Sequence, residues 1–217
     1  MFILGVTEAA SQETIWYRVP MASPRRIAPD AKLEAVLLAA EALFSQQGYS
    51  SATMAAIADR AGVAVGTIYR FFPDKPALLR ALHLRVADRM IAAMEQGWQS
   101  EPDYAHRFPP MIRALFKAAA RDGELLTVLQ TARDAAPEQS GLAIDRMVAA
   151  IAQMYLQGLH AGAYRAFAPI FAAQIAYGMV EGAMRVLMAP EADLPPAELE
   201  SQLATAMTTL FVRGDTR

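Results

Sequence analysis

The 217-residue sequence predicts an all-α protein with two parts, a small three-helix head and a larger helical domain. Apolar residues recur every three or four positions along most of the chain, which is the spacing of one helix face. Prolines stand at the starts of several of these patterns, where the first helical turn tolerates them. From Gly97 onward no stretch shows the strict alternation that indicates a strand.

The composition is that of a globular protein with ample core. Hydrophobic residues make up 54% of the chain, enough for a core and for an oligomer interface. Cysteine is absent, which excludes thiol catalysis, thiolate metal sites and disulfides, and which is compatible with the cytoplasm. Between Met21 and Gln96, nine Lys or Arg stand against seven Asp or Glu, and from Gly97 the counts are ten and thirteen. The N-terminal part is therefore the more basic one.

The first twenty residues differ in character from the rest of the chain. An apolar run covers Met1 to Val6, and no Lys or Arg occurs before Arg18. A signal peptide is disfavoured because its positive N-terminal region is missing. We expect residues 1–28 to form a flexible N-terminal extension, and Met21 is an alternative start of the native chain.

Residues 29–75 are predicted to form the head. Asp30 can cap a first helix that continues to about Gln47, and one apolar stripe of this helix would cover the other two helices. The stripe consists of Leu33, Val36, Leu37, Ala40, Leu43 and Phe44.

Two shorter helices complete the head. Thr53 can cap the second helix, and Gly62 can end it because glycine adopts the left-handed conformation that a helix stop requires. The third helix carries Val65, Ile68 and Phe72 on one face. Helix, glycine turn and helix together form the helix-turn-helix arrangement of DNA-binding proteins.

The segment from Gly62 to Lys75 reads GVAVGTIYRFFPDK and resembles the signature of TetR-type transcriptional regulators. The preceding residues resemble the first two helices of that family, so the resemblance covers about residues 32–79. Two positions depart from the family pattern, since Ala64 replaces a serine that often caps the third helix and Phe71 replaces a histidine or tyrosine. The resemblance implies a dimeric, ligand-responsive repressor that binds a palindromic DNA operator.

Contacts with DNA are expected from the helix-turn-helix segment. Thr67 and Arg70 suit base edges, since arginine pairs with guanine and threonine can contact a thymine methyl group. Thr53, Tyr69 and Lys75 are better placed for phosphates. The alternative for each is a solvated surface side chain, or for Tyr69 packing within the head. The predicted DNA-facing set also includes Val65, Gly66 and Phe71, and Arg25 and Arg26 as an N-terminal arm.

A connecting helix is predicted for residues 76–97, and residues 98–217 are predicted to form an effector-binding and dimerisation domain. Pro76 suits the first turn of the connecting helix. Ser100 to Pro110 is rich in turn residues and marks the boundary. Further helices are expected at about 109–121, 123–135, 137–161, 169–188 and 196–213.

Uncharged stretches in the second domain raise the possibility of a membrane hairpin. No formal charge occurs between Arg146 and Arg165 or between Ala166 and Val180. Glutamines, a histidine and a proline interrupt both stretches, whereas a membrane-spanning helix needs about 20 mainly apolar residues. We therefore expect helices buried in a large core or against a second copy of the chain.

The last two helices are the expected dimer interface, and the resemblance implies the same placement. Small residues four apart allow helices to approach closely. The alternative is that the same stripes pack inside one subunit. The predicted interface comprises Ile175, Gly178, Met179, Gly182, Leu199, Leu203, Met207 and Leu210.

An effector pocket is implied by the resemblance, with an apolar or aromatic small molecule as its occupant. Aromatic or adaptable side chains are the candidates for its lining, although each could be an ordinary core residue. They are Trp98, Phe108, Met111, Tyr155 and Tyr177. No cofactor or metal is expected.

An enzyme is disfavoured, and a DNA-binding protein without an effector is the other alternative. His83, His106 and His160 lie on separate segments, and no zinc motif, phosphate loop or nucleophile elbow occurs.

Overall fold

The computed structural model describes residues 4–6, 15–17, 31–135, 140–189 and 194–214, and side chains within 31–132, 140–189 and 194–214. The chain divides into two compact units, Met1–Asp30 and Ala31–Arg217. The first contains strands β1 (Leu4–Val6) and β2 (Ile15–Tyr17), which pair antiparallel. These strands were not predicted. Met21, Arg25 and Arg26 lie outside the described residues, so the flexible extension and the basic arm stay predictions.

The second unit confirms the all-α prediction. Its described residues form a short 3₁₀ turn at Tyr104–His106 and nine α-helices. The helices are α1 (Ala31–Ser51), α2 (Met54–Arg60), α3 (Val65–Phe71), α4 (Lys75–Gln99), α5 (Phe108–Arg121), α6 (Gly123–Ala135), α7 (Gly141–His160), α8 (Pro169–Met188) and α9 (Pro196–Phe211).

Helix ends in the head follow from local chemistry. Gly48 interrupts α1 with a φ of 78°, close to the predicted end at Gln47. Gly62 has a φ of 66°, and its N–H bonds to Asp59 O while Val63 N–H bonds to Ala58 O, each at 3.0 Å. This paired bonding is the Schellman stop, which satisfies carbonyls left over at the end of α2.

The head has its own apolar centre. Val36, Phe44, Ile57 and Ile68 are fully buried there and come from all three helices of the head. Leu82 of α4 is also fully buried in the same continuous core. Burial of an apolar side chain contributes about 1.5–3 kcal/mol. This packing holds a seven-residue α3 that would not be stable alone.

The larger domain packs α4 against α5 and α7, α7 against α8, and α5 against α9. One end of it is an aromatic cluster around Tyr164, which is fully buried and whose hydroxyl donates to Tyr104 O at 2.9 Å. A Cβ added at Gly158 would meet the Tyr164 ring at less than 3.0 Å, so this glycine permits a close approach.

The helix α9 ends two residues before its predicted end. Val212 is extended and forms a bridge with Tyr164. Arg213 N–H bonds to Ala163 O at 2.9 Å, and Arg165 N–H bonds to Phe211 O at 2.8 Å. These bonds to the segment after α7 replace the helical bonds that would have extended α9.

Candidate nucleic-acid interface and effector cavity

The third helix presents an exposed face beside a buried one. Ile68 is fully buried and Phe72 is 8% exposed, whereas Val65 is 43% and Tyr69 50% exposed. Gly66 and Arg70 are exposed as well, and Thr67 and Phe71 are half-buried. Val65 lies on the same helix face as Ile68 and Phe72, as predicted, but at the first position of α3 it is not buried with them. Its exposure agrees instead with its place in the predicted DNA-facing set.

The start of α3 lacks a side-chain cap, as the alanine at position 64 indicates. Ala64 occupies the capping position and makes no side-chain bond there, while Thr67 N–H bonds to Ala64 O at 2.8 Å. The first N–H groups of a helix that lacks such a cap are open to water or to a DNA phosphate. Arg70 lies with its guanidinium carbon 6.0 Å from the Phe71 ring centre.

Thr53 begins α2 as predicted. Its Oγ1 accepts a hydrogen bond from Ala56 N–H at 3.1 Å, and its side chain is exposed. A hydroxyl that accepts in this way still has its own hydrogen to donate. Thr53 can therefore cap the helix and contact a phosphate at the same time.

Lys75 occupies a different position from the predicted phosphate contact. Its Nζ donates to Tyr49 O at 2.9 Å, to Ser50 O at 3.2 Å and to Ala52 O at 2.9 Å. The same nitrogen lies 4.5 Å from the Tyr49 ring centre. An ammonium group has three hydrogens to donate, so all are engaged. Lys75 thus satisfies the carbonyls at the end of α1 and joins that end to the start of α4.

Ion pairs join the head to the larger domain along α4. Arg85 donates to both oxygens of Glu34 at 2.5 and 2.7 Å and to Glu41 at 2.9 Å. Arg89 donates to Glu41 and to Asp122, each at 2.8 Å. The Arg85 guanidinium holds the pKa of the Glu34 carboxyl below its usual value. These half-buried, charge-assisted bonds fix the orientation of α1 on α4.

A cavity of about 140 Å³ lies in the larger domain, bordered by α4, α5, α6, α8 and the start of α7. Most of its lining is apolar, with Met90, Met147, Met184 and Met188 prominent. The polar and charged side chains on its wall are His83, Gln130, Ser140, Tyr177 and Glu181.

His83 ties two walls of the cavity together. It is 8% exposed, and its Nδ1 lies 3.1 Å from Leu79 O while its Nε2 lies 3.2 Å from Leu129 O. The second contact joins α4 to α6. The sequence identified His83 only as a histidine without a metal-binding partner, because no local pattern reveals a contact 46 residues away.

Among the predicted effector residues, only Tyr177 borders this cavity. Trp98, Phe108, Met111 and Tyr155 line a separate void of about 20 Å³, which is room for about one water molecule. Their aromatic rings pack with Tyr164 and Phe211 instead. The sequence showed that these residues are aromatic or adaptable. It did not show whether they pack together in a cluster or line a cavity.

The predicted dimer interface is divided in the same way. Leu199, Leu203 and Met207 are 8%, 6% and 1% exposed and belong to the chain's own core, so they offer almost no surface to a partner. On α8, Gly178 and Gly182 are exposed, and a Cβ added at either would meet nothing within 4 Å. Half-buried side chains in the predicted set are Ile175, Met179 and Leu210.

Two exposed apolar residues of α8 extend this face, Phe171 at 52% and Val186 at 41%. They were not predicted to contact a partner. With Gly178 and Gly182 they form a stripe at helical spacing, which we call the α8 face. Their spacing from Gly178, about two helical turns on either side, was the available sequence signal.

Comparison with known proteins identifies the head. Residues 36–82, from α1 into α4, match the model of bacterial regulatory proteins of the tetR family. The head is a tetR-family domain. Over 127 residues it is 31% identical to the transcriptional repressor KstR of Mycobacterium tuberculosis, covering 58% of each chain. Over 99 residues it is 30% identical to the transcriptional activator FasR of Mycolicibacterium smegmatis, covering 46% of this chain and 45% of FasR. The chain thus spans about half the length of these curated relatives.

The likeness to a solved structure extends beyond the matched head. The structure of FadR from Bacillus subtilis, in complex with stearoyl-CoA, superposes with a TM-score of 0.69 at 19% identity. The match covers 81% of this chain and 97% of FadR. At this identity the likeness establishes the shared fold of the two helical domains.

In the described part of the chain, neither a membrane-spanning helix nor a metal-binding group is present. No helix there is long and apolar enough to cross a bilayer. No three His, Asp or Glu side chains there gather into a metal-binding group.

Proposed function

We propose that the chain is a DNA-binding transcriptional regulator whose head reads an operator through the exposed face of α3. The observation that carries this proposal is the pairing of a buried Ile68 with exposed Tyr69 and Arg70 on a TetR-type recognition helix. Arginine forms two hydrogen bonds with guanine in the major groove, and tyrosine suits a phosphate. We propose a cytoplasmic location, because the DNA that such a regulator binds lies there.

An Arg70→Ala variant tests this readout. Its affinity for the operator should fall by about 1–3 kcal/mol, and its affinity for unrelated DNA should fall less. Footprinting on the DNA that flanks the gene would locate the operator, and electrophoretic titration would measure both affinities. Arg113→Ala is the matched control, since Arg113 is also exposed but belongs to α5. Equal losses on operator and unrelated DNA would reduce Arg70 to a phosphate contact.

One short recognition helix contacts too few base pairs for specific binding, so we propose a homodimer whose two heads bind a palindromic operator. Half-sites one helical turn apart are about 34–36 Å from centre to centre. The α8 face is the surface that supports this assembly, because exposed glycines allow two helices to approach closely. Repression is the proposed outcome, as in KstR, although FasR is named an activator.

A Val186→Glu variant tests the dimer. A buried carboxylate between two copies is costly, so light scattering should show a shift from dimer to monomer. Leu142→Glu is the control, because Leu142 is 63% exposed and lies on α7. A dimer that withstands Val186→Glu as well as it withstands Leu142→Glu would place the interface elsewhere.

We further propose that an apolar small molecule in the 140 Å³ cavity regulates DNA binding. The cavity supports an effector over a constitutive DNA-binding protein, whose second domain would need no such space. Its lining by α4 supports the same view, since Arg85 and Arg89 join this helix to the head. A ligand changes DNA affinity only if it favours one arrangement of the heads over another. Operator binding measured with and without apolar ligands tests this response.

A further inference from the structure

We propose that the ligand of the cavity is a single-chain amphiphile with an anionic head group, whose apolar chain enters from a neighbouring surface groove. This inference rests on the proposed effector response and names the class of molecule. It is carried by the position of the groove, by the charges on each side and by the size of the cavity.

The groove has a volume of about 520 Å³ and is bordered by α5, α6, α8 and α9. Leu126, Met184 and Met188 line both the groove and the cavity. All three are half-buried and form a common border of the two spaces. Methionine is unbranched and has three rotatable side-chain bonds, so rotation of Met184 and Met188 can widen the passage at this border without moving a helix.

The charges orient the ligand. Glu181 lines the cavity, and its carboxylate would repel an anion placed inside. Arg185 pairs with Glu181 at 3.3 Å but is absent from the cavity wall. His83, on the same wall, faces two backbone carbonyls with its ring nitrogens. An anionic head is therefore disfavoured inside, and the apolar chain is favoured.

The groove, in contrast, is lined by positively charged side chains. Arg113 and Lys117 lie one turn apart on α5 and line it, and both are exposed. Glu200 is the acidic residue on the same lining and pairs with Arg113 at 3.2 Å. Lys117 thus supplies the positive charge nearest to a carboxylate or similar head group in the groove.

The size of the cavity limits the chain that it holds. An apolar cavity of about 150 Å³ accepts a benzene molecule, so 140 Å³ holds about six carbons. The carbons between this portion and the head group would lie along Phe116 and Leu187 in the groove. Each buried methylene strengthens binding by about fourfold, so affinity should increase with chain length.

The test is calorimetric titration of the full chain with a series of saturated monocarboxylates and the primary alcohols of equal length. Affinity should increase about fourfold per methylene in both series, with the carboxylates binding more tightly. Lys117→Glu should remove the preference for carboxylates and leave alcohol binding unchanged. Arg121→Glu is the matched control, since Arg121 is exposed on the same helix but does not line the groove.

Two cavity-filling variants complete the test. Ala143 is 7% exposed and lines the cavity. Ala143→Phe, or the smaller Ala143→Leu if the first does not fold, should weaken both series by tenfold or more. Binding that is independent of chain length, indifferent to the head group or unaffected by a folded Ala143 variant would overturn the inference.

Operator binding measured on the same preparations separates this inference from the proposed function. A chain that binds its operator but none of the carboxylates would overturn the ligand assignment and leave DNA regulation intact. A chain that binds carboxylates as expected, with operator affinity unchanged, would support the site and refute the effector response.

Discussion

Replacing Lys75 by methionine separates a structural role from a DNA contact. The substitution keeps the apolar stem and removes the ammonium group that donates to Tyr49, Ser50 and Ala52. A hydrogen bond to a charged group contributes about 1.5–3 kcal/mol. The carbonyl of Ser50 is exposed and can bond to water instead, whereas the other two bonds are half-buried. We therefore expect the free energy of unfolding to fall by about 2–4 kcal/mol.

Urea unfolding followed by circular dichroism measures this loss, and operator titration over a range of salt concentrations measures the DNA contribution. Lys75→Met should lower stability while the slope of log affinity against log salt concentration stays unchanged. Loss of a phosphate contact would instead reduce that slope by about 0.9.

Lys117→Met is the control, because it removes one positive charge from an exposed site in the larger domain. Its stability should change by no more than about 0.5 kcal/mol. A Lys75→Met variant as stable as this control, with a reduced salt slope, would refute the role derived from the structure.

Three further predictions concern the stability of the fold. Gly158→Ala should destabilise by about 1–3 kcal/mol because its methyl group meets the Tyr164 ring, and the double variant with Tyr164→Leu should be no less stable in urea than Tyr164→Leu alone. The bond from Arg85 lowers the pKa of Glu34 below 4.5, so its stabilisation is present above about pH 4.5 and is lost as pH falls through the folded value. Glu34→Gln should remove that part of the pH dependence of unfolding, and an unchanged acid profile would contradict this assignment. Thr53→Ala should cost about 1 kcal/mol through loss of the α2 cap and Thr53→Asn much less, whereas equal losses in thermal unfolding would show that the cap is unimportant.

Local chemistry predicts most of the helices. Thr53 begins α2 and Gly62 ends it through bonds between residues three to five positions apart, and such bonds are visible as sequence patterns. Apolar periodicity likewise identified Val36, Ala40 and Phe44 of α1 as buried, although it missed Ala39. The bounds predicted for α6 and α8 agree with the structure for the same reason.

Long-range contacts were less predictable. Periodicity shows that Leu203 and Trp98 are apolar helix residues but not whether they face their own core, a cavity or a second chain. The partners of Lys75 lie 23 to 26 residues earlier in the chain, at the end of α1 that follows the non-helical Gly48. The cavity depends on five segments that no local pattern relates, so its wall became visible only in the folded chain.

The ion pairs of α4 allow the cavity to change during evolution without disturbing the position of the head. Arg85 and Arg89 face the head, whereas Val86 and Met90 line the cavity from the same turns of helix. Substitutions at positions 86 and 90 would change the shape of the cavity and leave the arginine anchors in place. A descendant could therefore acquire a new effector while keeping its operator, because the residues that anchor the head and those that line the cavity lie on different sides of a single helix, and the proposed reading face lies on α3.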